Sequence, residues 1–269
     1  MQYDPIKRSL GSVFNRTPTL RILFYKLLDL LLLRSWHIRR EVRILKKNGF
    51  NPVHIADAGS GFGQYVFYLT KKFPDTLITG LDIKQEQVDD CNSFFTSIGR
   101  QEKVSFEFAD LTKLEATEAY DLILSVDVME HIEEDRRVFS RFYKGLRSGG
   151  VLLISTPSDQ GGSDVHHDHE ESFIDEHVRD GYGVADIEEK LREAGFTDIH
   201  IRYSYGKPGK ISWKLSMKNP IRLANVSKLF LILLPFYYLV VYPFCYMLNL
   251  ADVRREHPTG TGLIVRCKK

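Results

Sequence analysis

A chain of 269 residues with 43% apolar and 27% charged side chains can bury the core of one large α/β domain, and its composition speaks against disorder. The formal charge of +2 leaves no global field to recruit nucleic acid, so any electrostatic recognition has to be local. Cys91, Cys245 and Cys267 are odd in number and far apart, which speaks against a disulfide framework or a zinc site, and the opening MQYDPIKRSLGSVFN lacks a signal-peptide layout, so a reducing cytoplasm is expected.

In chain order, residues 19–47 carry apolar side chains at helical spacing and predict a helix or helix pair stopped by Gly49. From residue 54 the pattern changes to short runs: VHIAD, TLITGLDI, VSFEFAD, YDLILSVDV and GVLLIST, each separated by a helix-length segment. Such alternation implies right-handed crossovers and a mostly parallel, doubly wound α/β sheet with helices on both faces. The segment 132–150 reads as one crossover helix: Glu133, Glu134 and Asp135 at its start, an apolar face of Val138, Phe139, Phe142 and Leu146, then Arg147 and Gly149 at its end. Beyond come a His-rich loop at 158–171, a helix near 184–194, a sixth strand in DIHIRYSY and a final strand in TGLIVRCKK.

The first strand runs into IADAGSGFGQ, residues 55–64. In an open parallel sheet a ligand binds beyond the carboxyl ends of the strands, and glycines there allow positive φ and close approach to backbone N–H groups. The spacing is G-x-G-x-G with Asp57 two residues ahead of the first glycine, which disfavours a dinucleotide fingerprint. Asp82 closes the second strand, where a carboxylate would meet ribose hydroxyls, and Asp110 closes the third.

These motifs, in this order, resemble those of class I S-adenosylmethionine-dependent methyltransferases of the type 11/12-like kind. They are DAGSGFG, GLDI, FADL, YDLILSVDVMEHI and FYKGLRSGGVLLISTPS, spanning roughly residues 50–200 plus the final strand. The resemblance implies a Rossmann-like sheet of seven strands, the last antiparallel. It also implies S-adenosylmethionine as cofactor, with Asp57, Gly59, Ser60, Gly61, Gly63, Asp82, Ile83, Asp110, Leu111 and Ser125 around it and the glycine loop along its methionine half.

The EHI step after the fourth strand is similar to that of ubiquinone-type O-methyltransferases, which makes His131 the leading candidate for a base. An acid–His metal pair with Asp127 or Glu130, or a purely structural turn, stays open. In SDVHHDHEESFIDEH, residues 163–177, the crowding of histidines and acids suggests a metal, but the spacing lacks a ligand pattern, so no metal is assigned. A polar lid with His167 or His177 touching substrate is the preferred reading.

From Ile199 to Ala251 there is no Asp or Glu, while Arg202, Lys207, Lys210, Lys214, Lys218, Arg222 and Lys228 all occur, and residues 229–251 are uncharged. The uncharged stretch is long enough to span a membrane, but a final strand pairing beside the sixth would need the chain back on one side, and Pro235 and Pro243 should break the helix into pieces. Docking on an anionic membrane surface, a lid over an apolar substrate, a homodimer interface and a core helix remain open. The expected organisation is an N-terminal helical extension at 1–49, a methyltransferase domain at 50–205 and 258–269, and a basic, apolar insertion at 206–257. The expected activity is methyl transfer to an oxygen of an apolar, quinone-like or lipid-like small molecule, with transfer to carbon or a silent cofactor-binding protein as alternatives. The expected location is the cytoplasm, peripheral on the inner face of the membrane.

Overall fold

Alternating apolar runs and amphipathic helices build one sheet in the computed structural model, which describes residues 17–161, 178–226 and 230–269. The strands are β1 (His54–Ala58), β2 (Leu77–Asp82), β3 (Val104–Phe108), β4 (Tyr120–Val126), β5 (Leu146–Pro157), β6 (Thr197–Ser204) and β7 (Gly262–Lys268). Their order is β3-β2-β1-β4-β5-β7-β6, with β7 antiparallel to both neighbours and the other pairs parallel. The expected α/β fold is therefore present, and the order reverses between β1 and β4, where such sheets bind ligands.

Because successive strand residues face opposite ways, Ile55, Leu122 and Leu124 enter one core while Ala56 and Ile123 enter the other. The first core is covered by α1 (Pro18–Leu31), α2 (Leu33–Lys47), α3 (Gln64–Lys72) and α4 (Gln85–Ser97); the second by α5 (Asp135–Gly145) and α6 (Val184–Glu193). The expected helix pair is real: Thr17 caps α1 by accepting from Leu20 N at 3.3 Å, and extended Leu32 separates α1 from α2.

Two expectations need correction. The helix read over 132–150 is shorter, Asp135–Gly145; Leu146 is already extended, and Gly149, at φ 75°, lies in the irregular start of β5, where the register against β4 shifts. Pro235 and Pro243 do not break the apolar segment, because α9 (Phe230–Arg254) continues through both. Side chains on its inner face hold it to α7 (Lys207–Trp213), a π turn (Lys214–Lys218) and α8 (Asn219–Val226). Tyr237 and Tyr238 donate to the carbonyls of Leu215 and Ser216 at 2.8 and 2.7 Å, which offsets the lost backbone bonds.

The C-terminal end of α9 is fixed by a buried charge chain. Arg202 Nη2 donates to His37 Nδ1 at 2.8 Å, leaving His37 Nε2–H to donate to Asp252 Oδ1 at 2.9 Å. Arg202 also bonds Glu41 at 3.1 Å, and burial pushes the His37 imidazole down to about 4, so it stays neutral.

Candidate active site

At the carboxyl edge of β1 the chain must turn sharply, and Gly59, Gly61 and Gly63 take φ of 81°, 49° and 75°. A Cβ on Gly59 would also lie 2.2 Å from Val128 Cγ2, so packing and conformation both demand glycine there. The loop amides are committed internally. Gly59 N and Ser60 N donate to Leu81 O at 2.8 and 3.0 Å, Gly63 N donates to Ser60 O at 2.9 Å, and Gly61 N donates to Asp82 Oδ2 at 2.8 Å. The loop therefore does not offer these N–H groups to an anion, contrary to the expectation of a backbone-donor cradle.

What the edge offers is acceptors. Asp57 is 1% exposed and its Oδ2 has no hydrogen-bond partner; Ser60 Oγ and Ser125 Oγ are buried and equally unpartnered. Burial, with the neighbouring charge of Asp82, pushes the Asp57 carboxyl up to about 8. An unsatisfied buried carboxyl is expensive unless a donor or a cation completes it. An ammonium and sulfonium ligand is both, and the open space above Gly61, where a Cβ would meet nothing within 4 Å, gives it an approach. These residues fit S-adenosylmethionine.

The residues expected at the ribose and adenine lie on the same edge. Asp82 fixes its carboxylate by accepting from Lys84 N at 2.9 Å as well as from Gly61 N. Exposed Ile83 and Phe108 border a cleft of about 520 Å³ that also includes Leu81, Ala109 and Asp110. Asp110 caps the short turn Leu111–Lys113, with Thr112 Oγ1 donating at 2.6 Å and holding its carboxyl below the usual carboxylate range. Leu111 is buried behind it.

On the other side of the loop, beyond β4, Asp127 takes φ 53°, a left-handed value that is uncommon outside glycine but that Asp adopts more readily than most residues. Its carboxylate accepts from Arg34 Nη1, and Tyr205, also left-handed at φ 53°, accepts from Arg34 N at 3.1 Å through its hydroxyl. Tyr65, in the first turn of α3, lies beside them with its hydroxyl 3.3 Å from Ser35 Oγ. Burial pushes the Tyr205 phenol up to about 12. Glu130 is buried and accepts from Thr156 Oγ1 at 3.1 Å; burial and the nearby Asp127 charge hold it well above an ordinary carboxyl.

His131 ends the turn Met129–His131 on its exposed side, while His167 and His177 lie outside the described residues. Among the described residues no cluster of three or more metal-ligating side chains occurs. Arg34, Tyr65 and Tyr205 were not singled out from the sequence. Tyr205 could have been: β6 runs parallel to β5, so the residue after it falls on the same ligand edge as Asp57 and Asp82. The N-terminal helices also hold the loop, since Arg21 Nη2 donates to Phe62 O at 3.0 Å and Tyr25 donates to the same carbonyl.

Comparison with known proteins agrees with this geometry. Residues 55–150 match the family described as a methyltransferase domain. Phosphoethanolamine N-methyltransferase 1 of Arabidopsis thaliana is 31% identical over 157 residues, covering 54% of this chain and 29% of that protein. Malonyl-[acyl-carrier protein] O-methyltransferase 2 of Ilyobacter polytropus is 27% identical over 120 residues, covering 45% of each. The chain thus spans less than half the length of these relatives. Haemonchus contortus phosphoethanolamine N-methyltransferase 2 in complex with S-adenosyl-L-methionine shares the fold at a TM-score of 0.58 and 20% identity, over 86% of this chain and 52% of that one. Residues 55–150 are thus a methyltransferase domain, set in a sheet with the Rossmann-like fold of class I S-adenosylmethionine-dependent methyltransferases. The unpartnered acceptors at its edge fit S-adenosylmethionine as the cofactor of such a domain.

Proposed function

We propose that the protein transfers a methyl group to an oxygen of an apolar or lipid-like small molecule at a cytoplasmic membrane face. When bound, S-adenosylmethionine supplies an already activated methyl, so the chain's own residues have to hold the acceptor in line and remove its proton. Asp127, pinned by Arg34, and the hydroxyls of Tyr65 and Tyr205 form the polar wall that orients the acceptor; His131 is the proposed base. His167 and His177 are proposed contacts from the adjoining segment.

One observation carries the apolar reading. Tyr205 N, at the end of this wall, donates to Asp252 Oδ1 of the apolar helix α9 at 3.2 Å, so the wall adjoins the greasy insertion. A nitrogen acceptor is the second reading, favoured by the 31% identity to a plant N-methyltransferase. Incubation of the purified protein with methyl-labelled cofactor and a lipid extract, followed by mass spectrometry of the labelled product, separates the two: an ether or ester supports transfer to oxygen, and an N-methyl amine replaces it.

A further inference from the structure

The insertion is a helical hairpin with two distinct outer stripes. From Lys207 to Val226 the chain is helical throughout, and Lys207, Lys210, Lys214, Lys218 and Arg222 recur at spacings of three and four, which places them on one face. Exposed Ile211 and Ile221 fall within that stripe. The returning helix, α9, presents Ile232, Phe236, Leu239, Val240, Phe244 and Met247, each at least 64% exposed. At roughly 37 Å of length for its 25 residues, it displays far more continuous apolar surface than a soluble monomer ordinarily leaves in water.

The rest of α9 is committed to the protein. Tyr237 and Tyr238 bond the π turn, Ser212 Oγ donates to the buried Cys245 carbonyl at 3.3 Å, and Asp252 is locked to His37. Tyr242 donates to Leu30 O at 2.7 Å, which brings the exposed Leu23, Leu27 and Leu30 of α1 alongside. The apolar stripe is thus held outward by a fixed scaffold.

We infer that this hairpin docks into one leaflet of an anionic phospholipid bilayer, α9 lying in the interface with its outer stripe among the acyl chains and the basic stripe of α7–α8 among the headgroups. Charge complementarity selects this occupant. No Asp or Glu lies between Ile199 and Ala251, so a second copy of the hairpin would meet cations with cations, whereas anionic lipid neutralises them. By length and composition α9 qualifies to cross a membrane, but it is bonded along its inner face to the helical stretch that bears Lys214 and Lys218, and a span would draw those charges into hydrocarbon. Docking rests on the proposed acceptor only for its purpose: it sets the rim at Tyr205 against the layer that would hold a lipid-like acceptor.

The test is flotation of the full chain with vesicles of phosphatidylcholine alone or mixed with phosphatidylserine, at low and high salt. Three proteins are compared: wild type, the exposed triple variant F236S/L239S/F244S, and K207Q/K214Q/R222Q. Wild type should float with anionic vesicles, release at high salt, and ignore neutral ones. Each variant should bind at least 10-fold more weakly, and the charge variant roughly 100-fold more weakly from three lost cations, with circular dichroism and cofactor binding unchanged. Wild type remaining in solution at low salt overturns the proposal. So does equal binding to neutral vesicles, resistance to alkaline extraction, or a dimer in sedimentation that the apolar variant dissolves. Asp82→Ala should float like wild type, so loss of methyl transfer and loss of docking are read independently.

Discussion

Replacing Asp57 by Asn tests the electrostatics of the cofactor edge. The carboxyl is buried, its Oδ2 is unpartnered, and burial with the Asp82 charge pushes it up to about 8. Displacing a carboxyl from near 4 to about 8 penalises its ionised form by on the order of 5 kcal/mol, at about 1.36 kcal/mol per pH unit. The sign follows from proton counts. Between these values the folded, ligand-free state holds a proton that the unfolded chain has lost, so stability is full below pH 4 and falls as pH rises through about 8. Asp57→Asn removes that titration but leaves an amide needing a partner, a cost of about 1–3 kcal/mol. Urea unfolding of the ligand-free variant should therefore show a higher midpoint than wild type at pH 8 and a flatter slope from pH 5 to 8. Calorimetry should show cofactor affinity lowered by about 1.5–3 kcal/mol, the worth of a charged hydrogen bond. A variant that is no more stable at pH 8 and binds cofactor as tightly as wild type would refute the assignment of Asp57 as the group that receives the cationic half of the ligand.

Three further outcomes are expected. Asp82→Ala loses the bonds from Gly61 N and Lys84 N and the ribose partner together, and cofactor binding by calorimetry should weaken by about 1–3 kcal/mol. Arg34→Ala should lower kcat/KM for the acceptor by roughly 10-fold or more through the freed Asp127, while the cofactor Kd stays within about twofold, because Arg34 bonds Asp127 and Tyr205 on the proposed acceptor side. His37 is held near 4 by burial, so below its unfolded value of 6.5 the unfolded chain takes up a proton that the folded one refuses. Stability should then fall as pH drops from 6.5 to 4, by about 3 kcal/mol in denaturant titrations, and His37→Gln should remove most of that slope.

The parts legible in the sequence are those that short-range rules specify. The glycine loop, Asp57 and Asp82 lie at strand ends, and strand ends follow from the alternation of apolar runs; the sheet order then places them at the β1/β4 reversal. Arg34 was not legible, since its partner Asp127 is 93 residues away and only the packing of α2 over the loop joins them. The continuity of α9 was misread for a related reason. Proline at 235 and 243 penalises an isolated helix by about 3 kcal/mol each, but tyrosine hydroxyls reaching α1 and the π turn supply tertiary bonds that a local rule cannot count. The loop amides were misjudged because Asp82 and Leu81 O, from the neighbouring strand, claim them first.

On the proposed function, this edge delivers a methyl group to an apolar acceptor. Purified protein, methyl-labelled S-adenosylmethionine and whole-cell extract, partitioned between organic and aqueous phases with Asp82→Ala as control, tests it most directly. Label should appear in the organic phase and disappear in the variant. Label confined to the aqueous phase would contradict the apolar acceptor, and cofactor binding without label in either phase would contradict the enzyme.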